Sequence, residues 1–570
     1  MRIGKADIYP AYGEISEKGV QITSQQIFAL MLAVILVFTL LRCIHLGADT
    51  PEGISNNVGI YVDEGYKTLD PRNMILFGKR NWHPADDYRG WIKASPLTNW
   101  PYYLSFKLFG VHIHAAKIVT IGYFFLFLMG YLITMGRRYQ KALLVCGLTA
   151  LSIQGTFFFF SRVALIEVPI AAAVYGCLFL LLKLESHPVP LSIAVLIGAI
   201  LVGFFGIKTS AILYFLPVCL AFTVVLVFGA NFSIPRWTVW LCVLGFIAMF
   251  LILAVSTQYI WQDRVGASGV GIWRRTLVTP LAEAAPFTVV LGLFCASQAL
   301  LTYPKAVFGS IYRCSLLALI TVCPITLALF PYNPTRYYVP VIPAYILLAL
   351  EWFHLRATQE ADETIQWQWL TNTLAFVLLF FCVFSVGVMI NKLILRHLPF
   401  YFGDEPGLSG PTMARYFPPI AAAGAAIIYM LRRYPLSASV FTKAVLVLAG
   451  IAIAYNGFLI GKFSVKPSYQ ALNVQRQIAG VVPADGSIAG DWAPFLTMNT
   501  SLRSIYLNTY QNRENILAIR PTFFLHNDNR ISEGNMEEII RAPGASLGQP
   551  ILRSEYHQAK IILYPIIYSH

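Results

Sequence analysis

The chain has 570 residues, 57% of them hydrophobic and 12% charged, with a mean hydropathy of +0.62. Ordinary soluble domains carry about 25% charge, so a water-soluble architecture is excluded, and apolar runs long enough to cross a bilayer recur from residue 27 to residue 460. The formal net charge of +14 does not point to nucleic acid, because the basic residues collect in short loops between the apolar runs, as cytoplasmic loop charge does.

The first apolar run, IFALMLAVILVFTLL, follows about 25 polar residues and has no small-residue cleavage pattern behind it, so it reads as an anchor. In chain order the periodic and apolar signals predict thirteen membrane spans: 27–43, 115–135, 142–160, 167–183, 191–207, 210–229, 237–256, 285–303, 314–330, 338–353, 369–390, 413–431 and 439–460. With the N-terminus inside, the connections at 137–141, 183–190, 231–236, 303–313, 354–368 and 431–435 are cytoplasmic, and most carry Lys or Arg. The long connections 44–114, 257–284 and 391–412 then lie outside, as does the tail. The nine cysteines sit in or beside apolar runs without CxxC spacing, which fits small buried hydrophobes and neither a metal site nor a disulfide framework.

The expected architecture is mainly α. Residues 1–460 form a polytopic helical membrane domain, including an outer loop 44–114 with juxtamembrane helices. Residues 461–570 are mixed-charge and turn-rich, with strand-like runs SIYLNTY, TFFLH and KIILYPIIY, and predict a small extracytoplasmic α/β domain.

Charges at membrane depth are costly and mark a cavity or a partner. Asp63 and Glu64 lie in YVDEGYK, and Lys93 in WIKASPLTNW. Arg162 and Glu167 flank the third-to-fourth turn, Lys208 follows the fifth run in GIKTS, and Arg336 stands in PYNPTRYYVPVIP. The predicted topology brings all of them to the outer side, and Arg264 in YIWQDRVG lies in another outer loop. One carboxylate base, several cations and a dry pocket suit transfer from a lipid-phosphate donor. The cations stabilise charge growing on the leaving phosphate, and the carboxylate takes the acceptor's proton. Lys93 reads equally as an interfacial snorkelling lysine, and Arg162 with Glu167 as a structural pair fixing a turn. His83 with Glu64 could hold a divalent metal, though the spacing matches no closed zinc pattern; no cofactor is required.

Four stretches together, YVDEG, YRGWIKASPLTNW with FKLFGVHIHAAKI, FFSRVALIEVPIA and RYYVPVIPAYILLAL, resemble the multi-pass GT-C glycosyltransferases that use polyprenyl-phosphate sugars, the group of the protein O-mannosyltransferases and the lipid A aminoarabinose transferases. The resemblance implies Asp63 as base, Lys93 in the place of the family's lysine–proline–leucine segment, and Glu167 where the family often has Asp. It implies an inverting transfer on the extracytoplasmic side, with a polyprenyl-phosphate sugar and membrane lipids as partners. The acceptor is a protein, a glycan or a lipid. Without an organelle-retention signal, a prokaryotic inner membrane is the expected location. The alternatives are a transporter or flippase of a lipid-linked or anionic substrate, and an assembly protein whose tail binds partners. Against the transporter stand the lack of an internal repeat and the clustering of charge at one face.

Overall fold

A computed structural model describes residues 24–51, 54, 62–80, 95–228, 281, 284–329, 334–358, 368–393, 410–431, 438–507, 518–528, 530–541 and 544–569. Apolar sequence without a polar stripe forms helices buried by one another and by lipid, since a helix satisfies its own backbone. The helices that position the site are α1 (Ser24–Leu41), α2 (Asp63–Lys67), α3 (Leu69–Phe77), α4 (Pro96–Phe109), α5 (Ile113–Met135), α6 (Lys141–Ile153), α7 (Gly155–Phe160) and α8 (Glu167–Leu184). They continue with α9 (Val189–Leu201), α10 (Ile212–Phe228), α11 (Pro286–Thr302), α12 (Pro304–Phe308), α13 (Ile311–Leu329) and α14 (Ile342–Thr358), then α15 (Gln368–Leu393), α16 (Gly410–Leu431) and α17 (Ala438–Val465).

The expected count of thirteen spans needs correction. Among the described residues six helical stretches are long and apolar enough to cross a membrane: Ile113–Met135, Glu167–Leu184, Val189–Ile207, Thr335–Thr358, Gln368–Asn391 and Thr442–Val481, the last running through α17 into the first helix of the tail. Six shorter apolar helices stand at other expected positions, and the expected span 237–256 lies outside the described residues. One shortening has a clear local cause. The run 142–160 breaks at Gln154, whose side-chain oxygen accepts from the Phe157 amide at 2.6 Å and starts a new short helix, α7. A side chain that caps a backbone amide competes with continuation of the helix before it. In the expected span 191–207, the backbone widens into a π-helix at Val202–Ile207 and ends at Lys208.

The tail begins with α18 (Gln470–Val481), followed by β1 (Ser487–Gly490), α19 (Ala493–Leu496), β2 (Arg503–Tyr506) and β3 (Phe523–Asn527). It closes with α20 (Arg530–Ile540), β4 (Ala545–Leu547), β5 (Leu552–Tyr556) and β6 (Ala559–Tyr568). β2, β1 and β3 are parallel neighbours, β6 runs antiparallel to β3, and β4 and β5 both pair with β6. Alternate residues face opposite ways. Ile488, Leu525 and Leu563 join the core that runs on into the membrane helices, whereas Ala489, Phe524 and Ile566 pack with Ile539 of α20. The tail is therefore not a bead on a string; its inner sheet face shares a core with Val62, Ile113 and the helices beneath.

Candidate functional site

Asp63 is the first residue of α2 and is buried with Glu64. A carboxylate at a helix N-terminus is favoured by the exposed amides there. Asp63 forms an ion pair with Arg336 Nη1. Arg336 stands in a 3₁₀ turn, Thr335–Val341, entered through Pro334 and carrying Pro340. A proline locks its own φ and restricts the residue before it, so this segment is stiff. Arg336 Nε lies 3.8 Å from Glu167 Oε1, the first residue of α8. The second oxygen, Glu167 Oε2, is buried with no hydrogen-bond partner among the described residues. Three segments separated by more than a hundred residues each thus meet at Asp63, Glu167 and Arg336.

Two lysines border this cluster. Lys208, at the end of the π-helix, holds its ammonium 5.6 Å from the Tyr337 ring centre, and the Arg336 guanidinium lies 5.4 Å from the same ring. The Tyr337 carbonyl accepts from Tyr214 Oη at 2.6 Å, which fixes the strand of chain between the two cations. Lys67, at the end of α2, and Lys208 both act on the Glu167 carboxylate through their charge. Lys67 was not among the residues expected from sequence, although it ends the same YVDEGYK stretch.

Glu64 faces away from Asp63. Its Oε2 accepts from the Ala164 amide at 2.8 Å and its Oε1 lies 3.7 Å from Lys117 Nζ, which also donates to the Ala48 carbonyl at 3.2 Å. Burial pushes the Glu64 carboxyl above the usual range, opposed by Lys117 and by the Ala164 N–H. A cavity of about 10 Å³ lined by Asp49, Glu64, Lys117, Gln475 and Tyr556 lies beside this pair, which is room for about one water. Lys117 escaped the sequence reading, yet a lone lysine in the apolar run HIHAAKIVT is the kind of intramembrane charge that implies a partner.

Arg162 is placed apart from Glu167. Its Nη2 donates to the His45 carbonyl at 2.8 Å, and its guanidinium packs 4.4 Å from the Phe463 ring centre and 5.6 Å from that of Phe158. The expected Arg162–Glu167 pair does not form among the described residues. Lys93, Arg264 and His83 lie outside the described residues. Among those described, no group of three or more His, Cys, Asp or Glu is arranged to hold a metal ion.

No protein-family model matches the chain, and no curated protein matches it in sequence. Solved structures do share its architecture. The crystal structure of ArnT from Cupriavidus metallidurans bound to undecaprenyl phosphate superposes with a TM-score of 0.50 at 15% identity, covering 94% of this chain and 97% of that one. The apo form of the same protein gives a TM-score of 0.48 at 15% identity, with the same coverage. At this identity the likeness is one of fold: the chain is a mainly helical, polytopic membrane protein resembling the GT-C fold of ArnT.

Proposed function

We propose that the chain is an inverting glycosyltransferase. It moves a sugar from a polyprenyl-phosphate donor to an acceptor on the extracytoplasmic side of the membrane, in a prokaryotic inner membrane with the tail on that same side. The observation that carries the reading is the meeting of Asp63, Glu167 and Arg336 from three distant segments, bordered by Lys67 and Lys208. The fold-sharing ArnT was crystallised with undecaprenyl phosphate, which supports a lipid phosphate as the donor's carrier.

In this reading Asp63 accepts the proton of an acceptor hydroxyl as that oxygen attacks the anomeric carbon. The bond from the anomeric carbon to the phosphate oxygen breaks on the opposite face, so configuration inverts. The phosphate leaves as an anion and needs no protonating acid. Arg336 and Lys208, with Lys93 and Arg264 as further cations, stabilise the charge that grows on it. Arg336 is then shared: it pairs with Asp63 and approaches Glu167, and it turns to the phosphate when the donor enters. Glu167 lines the sugar or acceptor side, and Arg162 holds the turn that leads into α8.

Replacing Asp63 by Asn tests the reading. Purified Asp63→Asn should fold and bind the polyprenyl-phosphate donor, while transfer falls by about 10²–10⁴-fold, the range for loss of a general base. Near-normal turnover would remove Asp63 from the chemistry.

A further inference from the structure

Arg72 of α3 is fully buried and, among the described residues, pairs with no carboxylate. A buried cation without a counter-ion is expensive unless its hydrogens are satisfied. Its Nη2 lies 3.0, 2.9 and 2.8 Å from the carbonyls of Thr497, Thr500 and Leu502, all in the tail. These carbonyls close the turn after α19, so the guanidinium sits where outward-pointing carbonyl dipoles favour a positive charge. Seven residues earlier, Gly65 of α2 meets the tail backbone directly. A Cβ on Gly65 would stand 2.3 Å from the Phe495 amide nitrogen and 2.4 Å from its Cα. No side chain can yield there, because the obstacle is main chain. Thr68 joins the two helices by donating to the Glu64 carbonyl at 2.7 Å, and the Tyr66 and Tyr506 rings stack at 5.1 Å. The same tail turn reaches α5, where Asn499 accepts from the Ile113 amide at 2.8 Å and donates to Gln475 at 2.6 Å.

We propose that the tail segment 493–502 is a positioning element of the active site: through Gly65 and Arg72 it seats the helix that carries Asp63 and fixes that carboxylate against Arg336. The catalytic consequence rests on the proposed transferase reading, whereas the mechanical coupling does not. Asp63 stands two residues before Gly65, at the free end of a helix of five residues. Such a helix is too short to hold itself; its orientation comes from what it is pressed against. On one side that is the Ala164 amide and Lys117 through Glu64, and on the other it is the tail.

The test uses the full-length protein with Arg72→Lys and Gly65→Ala. Lysine keeps the charge, but its shorter side chain stops short of the position of Nη2, the nitrogen that lies within hydrogen-bond distance of all three carbonyls, and alanine at position 65 must push the tail away. Hydrogen exchange at the amides of residues 62–68 should accelerate in both variants, while the sheet strands β1, β3 and β6 stay protected. In the transfer assay kcat per folded molecule should fall by about 10²-fold, the cost of an ångström-scale misplacement, with donor KM and donor affinity unchanged. A merely structural role would lower the folded yield and leave kcat per folded molecule intact, and that result would overturn the proposal. Unchanged exchange at 62–68 in Arg72→Lys would overturn it too, and this arm stands even if Gly65→Ala fails to fold. If the wild-type protein transfers no sugar, the functional reading fails on its own, and the exchange measurement still decides the coupling.

Discussion

At the scale of single residues, isolated charge is what the sequence makes legible of the candidate site. Asp63, Glu167, Lys208 and Arg336 each interrupt or end an apolar run, and the bilayer makes such a residue stand out because burial without a partner is costly. Which charges pair with which was not legible. Arg162 and Glu167 are five residues apart in sequence, yet Arg162 turns to the His45 carbonyl and two aromatic rings, and Glu167 to Arg336. Arg72 and Glu351 were missed because helical context makes each look like an ordinary interfacial or surface residue until a partner more than two hundred residues away is in place. Two outcomes follow at this scale. Arg336→Gln should lower kcat/KM for the lipid donor by roughly 10–100-fold, the cost of about 1.5–3 kcal/mol for a hydrogen bond to a charged group, read as a fall in kcat together with a rise in donor KM in steady-state assays. Glu351→Gln should unfold the protein more easily without altering the kinetics of whatever folds. Glu351 accepts from Arg138 at 3.2 and 3.0 Å, from Tyr139 at 2.6 Å and from Arg313 at 2.7 Å. Breaking a buried pair of this kind costs about 3–5 kcal/mol, measurable as a drop in thermal midpoint in detergent.

At the scale of elements, the helix positions followed from hydrophobic period, and the ends did not. Gln154 splits one expected span because a side-chain cap competes with helix continuation, and nothing in the run FFFFS announces it. The strand-like runs of the tail were legible as strands, but their order was not: β6 pairs on one edge with β3 and on the other with both β4 and β5, an arrangement set by packing and not by any local signal. The tail carries its own pH dependence. Ser532 Oγ accepts from the Asn527 amide at 2.9 Å and lies 3.1 Å from His526 Nδ1, a hydrogen bond that ties the imidazole to the start of α20. Burial holds the His526 imidazole below its ordinary value, against the pull of Glu533. A lowered folded-state value means the unfolded chain binds the proton first, so this stability is present at neutral pH and is lost as the pH falls below about 6.5. The protection of β3 and α20 against hydrogen exchange, taken relative to the intrinsic rate at each pH, should therefore fall between neutral pH and pH 5 in the wild type and change less in His526→Gln; equal slopes would refute the assignment.

At the scale of the whole molecule, charge is arranged at the two ends of the same helices. α5 carries Lys117 near its start, paired with Glu64, and is followed by Arg138, paired with Glu351. These residues are 21 positions apart, which is about 31 Å at 1.5 Å per residue, close to the hydrocarbon thickness of a bilayer. α8 starts at Glu167 and is followed by Glu185, which accepts from Ser310 at 2.6 Å. The segment Thr335–Thr358 places Arg336 at one end and Glu351 toward the other. Three helices thus span from the candidate site to a second cluster of Arg138, Arg313, Glu185 and Glu351. The carboxylates of the second cluster accept from Arg138, Arg313, Tyr139 and Ser310, which suits a clamp; the first cluster leaves a Glu167 oxygen without a hydrogen bond among the described residues, which suits a site that receives a ligand. The most direct measurement is a structure of the protein with a polyprenyl phosphate. The account predicts phosphate density beside Arg336 and Lys208, with Arg336 drawn toward it and Asp63 facing the open side. Phosphate bound at the Arg138–Arg313 end, or an Asp63–Arg336 pair that stays closed with the lipid seated elsewhere, would contradict it.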